Sequence, residues 1–146
     1  MKYPTRVSDA VHIMVFIHLN PTKDLSSGAI AYSIKTNPSY VRQLMSMLKK
    51  AKLLNGTRGQ AAPSLAQEPS KITLLDIYRA VEGDKPLLHL DTHTNPECGV
   101  GVNIQLALSD YYTEIQKCAE KRMAEISLAN IIKTYDKYVQ GIAPCS

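Results

Sequence analysis

The stretch from Leu25 to Leu65 constrains this chain more than any other part of it. Asn37-Pro38 pairs a side chain able to accept first-turn N–H groups with a proline preset for the first helical position. Val41, Leu44, Met45 and Leu48 then recur at i, i+3, i+4 and i+7, one apolar stripe of the width a core needs. The opposite side carries Ser39, Tyr40, Arg42, Gln43, Ser46, Lys49 and Lys50, a hydrogen-bonding face with a basic end.

A shorter helix precedes it, starting at Ser26 or Ser27 and burying Ile30 and Ile34, with Lys35, Thr36 and Asn37 between the two. That is the turn length of a helix-turn-helix. Leu53-Leu54 then begins a short strand, residues 55 to 62 form a polar loop bearing glycines with Arg58 near its tip, and Ser64-Leu65 is the return strand. Helix, tight turn, capped helix and basic hairpin in this order predict a mainly α fold with a small β-wing, a winged helix-turn-helix, and make duplex DNA the expected partner.

Charge supports that expectation. Residues 1 to 60 hold nine lysines and arginines against Asp9 and Asp24, a net +7, whereas residues 61 to 146 hold eight against eleven acids, a net −3. A positive N-terminal part suits a phosphate backbone, whose neutralisation supplies most sequence-independent affinity. At 146 residues, 45% hydrophobic and 21% charged, the chain is an ordinary globular protein. The longest apolar run, Val11 to Leu19, is too short for a membrane span and is interrupted by His12 and His18, and Met1-Lys2-Tyr3-Pro4 lacks the layout of a secretory signal. A cytoplasmic location, with no membrane association, is expected.

Around this centre the pattern predicts a first helix from about Ser8 to Asn20, with Val7, Ala10 or Val11, Met14 and Ile17 facing inward. Thr73-Leu74-Leu75-Asp76 has the spacing of a capping box, and the helix it opens ends at Gly83, a residue suited to a left-handed cap. Residues 84 to 95 show no periodicity and read as a linker or sensor loop. A long helix follows, opened by Asn95-Pro96 and running to about Ile126, with Ile104, Leu108, Tyr111, Ile115 and Cys118 along one narrow seam that continues to Arg122. Such a seam on a short chain predicts a homodimer. A last helix, Ser127 to Val139, offers Leu128, Ile131, Ile132 and Tyr135 for packing. The expected division is residues 1–83 for DNA binding, 84–95 for the sensor loop and 96–146 for dimerisation and the C-terminal helix.

Two stretches, SSGAIAYSIKTNPSYVRQLMSMLKKAKLL from Ser26 to Leu54 and KITLLDIYRAVEG from Lys71 to Gly83, together with the order of elements, resemble the Rrf2 family of bacterial transcription regulators. The resemblance implies a homodimer in which the long helices cross and present two winged domains to a palindromic operator. It implies that Ser39, Tyr40, Arg42 and Gln43 enter the major groove, that Arg58 approaches the minor groove or a phosphate, and that the protein is a regulator, most simply a repressor. Ser27, Ser46, Lys49 and Lys50 complete the candidate DNA-contacting set.

Two departures from the family pattern bear on function. The wing has Gly59-Gln60-Ala61-Ala62-Pro63 where relatives usually carry adjacent glycines and an aromatic, and of the three closely spaced cysteines of cluster-binding members only Cys98 is present near the long helix. Cys118 lies far down that helix and Cys145 near the end of the chain, so no iron–sulfur cluster is expected, since a cluster needs thiolates converging from about four ligands. A mixed metal site from His89, Asp91, His93 and Cys98 is a weaker alternative. The sharper expectation is a thiol sensor for an oxidant or electrophile at Cys98, with Cys145 as the candidate resolving thiol. With Asn95 as the cap, Cys98 would fall in the first helical turn, where amides and dipole favour a thiolate. Control by a small molecule, a metal or a protein partner is the alternative, and a protein-interaction adaptor that does not bind DNA is another. An enzyme is not expected, because neither His89 nor His93 comes with a third group to orient it toward Cys98.

Overall fold

A computed structural model describes residues 4–20, 24–56 and 62–141. Six helices and one small antiparallel sheet follow in the order α1 (Arg6–Leu19), α2 (Ser27–Ile34), α3 (Pro38–Lys50), β1 (Leu54–Asn55), β2 (Ser64–Leu65), α4 (Leu74–Glu82), α5 (Gly99–Glu125) and α6 (Leu128–Gly141). A single 3-10 turn, Pro69–Lys71, joins β2 to α4. The fold is mainly α with a two-stranded wing.

Local chemistry accounts for the helix starts. Ser26 caps α2 by accepting the Ala29 N–H at 3.2 Å, and Asn37 caps α3 by accepting the Tyr40 N–H at 2.8 Å, with Pro38 at the first helical position. Thr73 and Asp76 close a full capping box on α4, at 3.0 and 2.9 Å. A second reciprocal pair, not anticipated from the sequence, starts α6. There the Ser127 hydroxyl accepts the Asn130 backbone N–H, and the Asn130 side-chain Oδ1 accepts the Ser127 N–H. Thr73 and Ser127 face each other in an isolated antiparallel bridge, closed by Leu74 N–H to the Ile126 carbonyl and Leu128 N–H to the Ile72 carbonyl. The starts of α4 and α6 are thereby stapled side by side.

One core unites these pieces. The α3 stripe of Val41, Leu44, Met45 and Leu48 is buried against Ile30 and Ala31 of α2, Ile77 and Val81 of α4, and Ala10, Ile13, Met14 and Ile17 of α1. Ile13 replaces Val11 in the inward stripe of α1, because 10, 13, 14 and 17 keep the helical spacing while Val11 lies at its edge. Leu128 is fully buried in the same cluster and Ile132 packs on it, so the core runs past the expected boundary at residue 96.

Two glycines occupy backbone that other residues resist. Gly83 has φ +62° and ψ −126°, a positive-φ conformation but not the left-handed helical one expected, and its N–H donates to the Arg79 carbonyl. Gly56, at the base of the wing, has φ +143°, and a β-carbon there would stand 3.2 Å from Cε of Lys49.

The long helix begins later than expected. Asn95 does not cap it; its side chain accepts the Glu97 N–H and its carbonyl accepts the Cys98 N–H, closing a turn ahead of the helix. Gly99 is the first helical residue and Cys98 is the cap position.

Candidate nucleic-acid interface

The turn between α2 and α3 sets where α3 can point. Lys35 takes the left-handed conformation with φ 66°, and its N–H with that of Thr36 closes the last carbonyls of α2. The chain reverses within three residues, and α3 leaves with its polar side outward. On a helix of 3.6 residues per turn, Ser39, Arg42, Gln43, Ser46, Lys49 and Lys50 share one stripe. Ser39, Arg42, Gln43, Ser46 and Lys50 are exposed.

Arg42 is the residue held most deliberately. One guanidinium nitrogen donates to the Ser27 hydroxyl and another to the Ser39 hydroxyl, both at 3.1 Å. Two serines, one from each helix of the pair, thus hold the guanidinium beside the amino end of α3, where base edges are reached. The arrangement lowers the entropy a long side chain loses when it forms a bidentate contact, the geometry arginine uses toward guanine. Ser27 therefore reaches the site through Arg42.

Tyr40 is not on this face. Its hydroxyl donates to the Asp9 carboxylate on α1 at 2.9 Å, and the ring packs half-buried against the core. Partial burial, and next the hydrogen bond to Asp9, push its phenol up to about 12. The expectation that Tyr40 enters the groove is corrected: it bolts α3 to α1. The signal was in the spacing, since Tyr40 lies four residues before Leu44 and on the edge of the apolar stripe.

Lys49 is half-buried and lies over Gly56, linking the end of α3 to the wing. Lys50 stays free in solvent. The wing pairs Leu54 with Leu65 and Asn55 with Ser64, and Leu54 is buried beneath it. Arg58, and with it the tip of the wing, lies outside the described residues.

The remaining candidates lie on or near α5. None of the 27 residues of α5 is buried. Ile104, Tyr111 and Ile115 are 47%, 65% and 47% exposed, and Cys118 on the same face is exposed too. Leu108 is half-buried and sits at the margin of this seam, and α5 meets α4 through Gln116 to Tyr78 and Glu120 to Arg79.

Cys98 is exposed and makes no capping hydrogen bond with its side chain. It stands at the cap position, ahead of the first turn and not within it, and its side chain accepts none of the first-turn amides. Cys118 is about 30 Å further along the helix at 1.5 Å per residue, and Cys145 lies outside the described residues. Among the described residues no three histidine, cysteine or acidic side chains come together as a metal would require, so His89, Asp91, His93 and Cys98 do not converge. This donor set does not fit an iron–sulfur cluster. Among the described residues no helix is long and apolar enough to cross a membrane. His12, on α1, pairs with the Ser33 hydroxyl at 2.8 Å and ties α1 to α2.

Comparison with known proteins agrees with this architecture. Residues 3–134 match the Rrf2 family, described as an iron-dependent transcriptional regulator. YwnA of Bacillus subtilis (strain 168), a candidate HTH-type transcriptional regulator, is 37% identical over 128 residues, covering 88% of this chain and 95% of its own. A crystal structure of a candidate DNA-binding protein superposes with a TM-score of 0.69 at 36% identity, covering 87% of this chain and 98% of that one. The T. potens IscR structure superposes with a TM-score of 0.68 at 25% identity, covering 94% and 90%. With a family match over residues 3–134 and a 37%-identical relative covering 88% of its length, the chain belongs to the Rrf2 family of transcriptional regulators.

Proposed function

We propose that the protein is a homodimeric repressor that reads a palindromic operator with α3. The observation that carries this reading is the Arg42 clamp: an exposed guanidinium fixed by Ser27 and Ser39 at the start of a helix whose outer face also offers Gln43, Ser46 and Lys50. Dimerisation is supported by the uncovered seam of Ile104, Tyr111, Ile115 and Cys118, since full burial of one such apolar side chain stabilises by about 1.5–3 kcal/mol. A dimer that sets its two α3 helices about 34 Å apart meets successive major grooves on one face of the duplex.

The test is binding to DNA upstream of the protein's own gene, against random duplex, at several salt concentrations. Arg42→Ala should weaken operator binding by about 1–3 kcal/mol per half-site and erase preference at one base pair. Equal affinity for operator and random DNA in the unaltered protein would end the proposal.

A second reading concerns control. Cys98 is exposed at the amino end of a 27-residue helix, open to peroxide. Attack of its thiolate on peroxide forms the S–O bond of a sulfenic acid and releases hydroxide. Operator affinity followed during peroxide titration, in parallel with Cys98→Ser, decides this; the same response in both proteins rejects it.

A further inference from the structure

The loop between α4 and α5 has no regular structure, yet it is pinned to α5 at two points. Gln116 accepts the Leu87 N–H at 2.9 Å, and Gln105, three turns earlier on the helix, accepts the Asp91 N–H at 3.0 Å. Between these pins the loop arches over the helix and leaves a cavity of about 470 Å3. That volume lies within the range of pockets for small organic ligands, roughly 300–1,000 Å3.

The lining is largely apolar and carries one lysine. Pro86, Leu88 and Leu90 from the loop face Tyr112 from the helix, and Leu88 is still 42% exposed. Lys117 lines the cavity as well, and among the described residues it is in no ion pair. Glu120, the acid nearby, is engaged by Arg79 at 3.1 Å, so its charge is already matched. Local charge therefore favours an anion. On the helix, Ser109, Gln116 and Glu120 lie about 100° or more around from the seam of Ile104, Tyr111 and Ile115, and Tyr112 stands between the two faces. A partner copy on that seam leaves the cavity open.

We propose that this cavity binds a small organic carboxylate with an apolar body, the carboxylate against Lys117 and the body between Leu88, Leu90 and Tyr112. The inference rests on the DNA-regulator reading for its consequence and deepens it, because the cavity is wired to the DNA-binding half. Gln116 donates to the Tyr78 hydroxyl at 3.3 Å while holding Leu87, and the Tyr78 hydroxyl donates to the Lys85 carbonyl at the end of α4. An occupant that displaces Leu88 must strain the Gln116 pin and so bias the packing of α5 on α4. Coupling of this kind requires the ligand to prefer one arrangement over the other.

Amide NMR spectra of the full chain, titrated with acetate, hexanoate, phenylacetate and hexanamide, test the site. Hexanoate and phenylacetate should shift the amides of residues 87–92 and 112–117, acetate should bind at least tenfold more weakly, and hexanamide at least fivefold more weakly than hexanoate. Lys117→Gln should bring hexanoate down to the amide's affinity, and Lys121→Gln, a cation elsewhere on the same helix, should leave it unchanged. Hexanamide binding as tightly as hexanoate, shifts confined to the Ile104–Ile115 seam, or indifference to Lys117→Gln would each overturn the site. Operator affinity with saturating hexanoate should change at least threefold, and no change overturns the effector role. Failure to prefer the operator under any condition would remove the regulator reading and leave the NMR result standing, so the two failures are separable.

Discussion

Tyr40→Phe removes one hydroxyl and nothing else, and its consequence can be worked out. In the intact protein the Asp9 carboxylate oxygen receives two hydroxyls, from Thr5 at 3.0 Å and from Tyr40 at 2.9 Å. The phenol stands at about 12 against 10.0 for an unperturbed tyrosine. At 1.36 kcal/mol per tenfold, that displacement sets a ceiling of about 2.7 kcal/mol. Solvent reaches both half-buried partners and screens the interaction, and a hydrogen bond to a charged group nets about 1.5–3 kcal/mol even when well placed. About 1 kcal/mol is the expected loss at pH 7. The sign follows from which form the fold prefers. The folded-state value lies above the unfolded one, so the contribution is fully present below pH 10 and is lost as pH rises through 12. Urea unfolding of both proteins from pH 7 to 11.5 checks this, because other titrating groups cancel in the difference. The gap should stay near 1 kcal/mol to about pH 9, shrink through pH 10 and be gone by about pH 11.5. Equal stability at pH 7, or a gap that persists at pH 11.5, refutes the Tyr40–Asp9 argument. Operator preference in Tyr40→Phe should match the unaltered protein, and a loss of base discrimination would return Tyr40 to the reading face.

Lys50→Ala should weaken binding to operator and random DNA alike and flatten the slope of log affinity against log salt by about 0.9 per lost phosphate contact, measured by fluorescence anisotropy. Ile115→Asp should leave the helical circular dichroism unchanged, since the side chain is half exposed in one copy, and should shift sedimentation from dimer to monomer. Thr73→Ala opens the capping box on α4 and should cost about 1 kcal/mol in denaturant unfolding.

What the sequence discloses and what it hides divide along a physical line. The α3 stripe, the Asn37-Pro38 start and the Thr73–Asp76 box are legible because each is a contract among residues within seven positions of one another, and all three hold. Interactions that require distant segments to meet are not legible in this way. Asp9 with Tyr40, Ser27 with Arg42, and Thr73 beside Ser127 are separated by 31, 15 and 54 positions, and no periodicity announces them. The misplaced start of α5 has a different cause, two local patterns competing for one residue. Asn95-Pro96 carries the same opening signal as Asn37-Pro38, but the Asn95 side chain is taken by the Glu97 amide in a closed turn. Gly99 and Gly101 follow, so helix is weakly favoured until Val102 and beyond. The three-residue delay moves Cys98 from the first turn to the cap position. That is where Ser26, Asn37 and Thr73 accept first-turn amides on their own helices, yet the Cys98 side chain accepts none. A thiol is a weak acceptor where a hydroxyl or an amide oxygen is a good one, and the loop that delivers it is held to α5 by Gln105 and Gln116 instead.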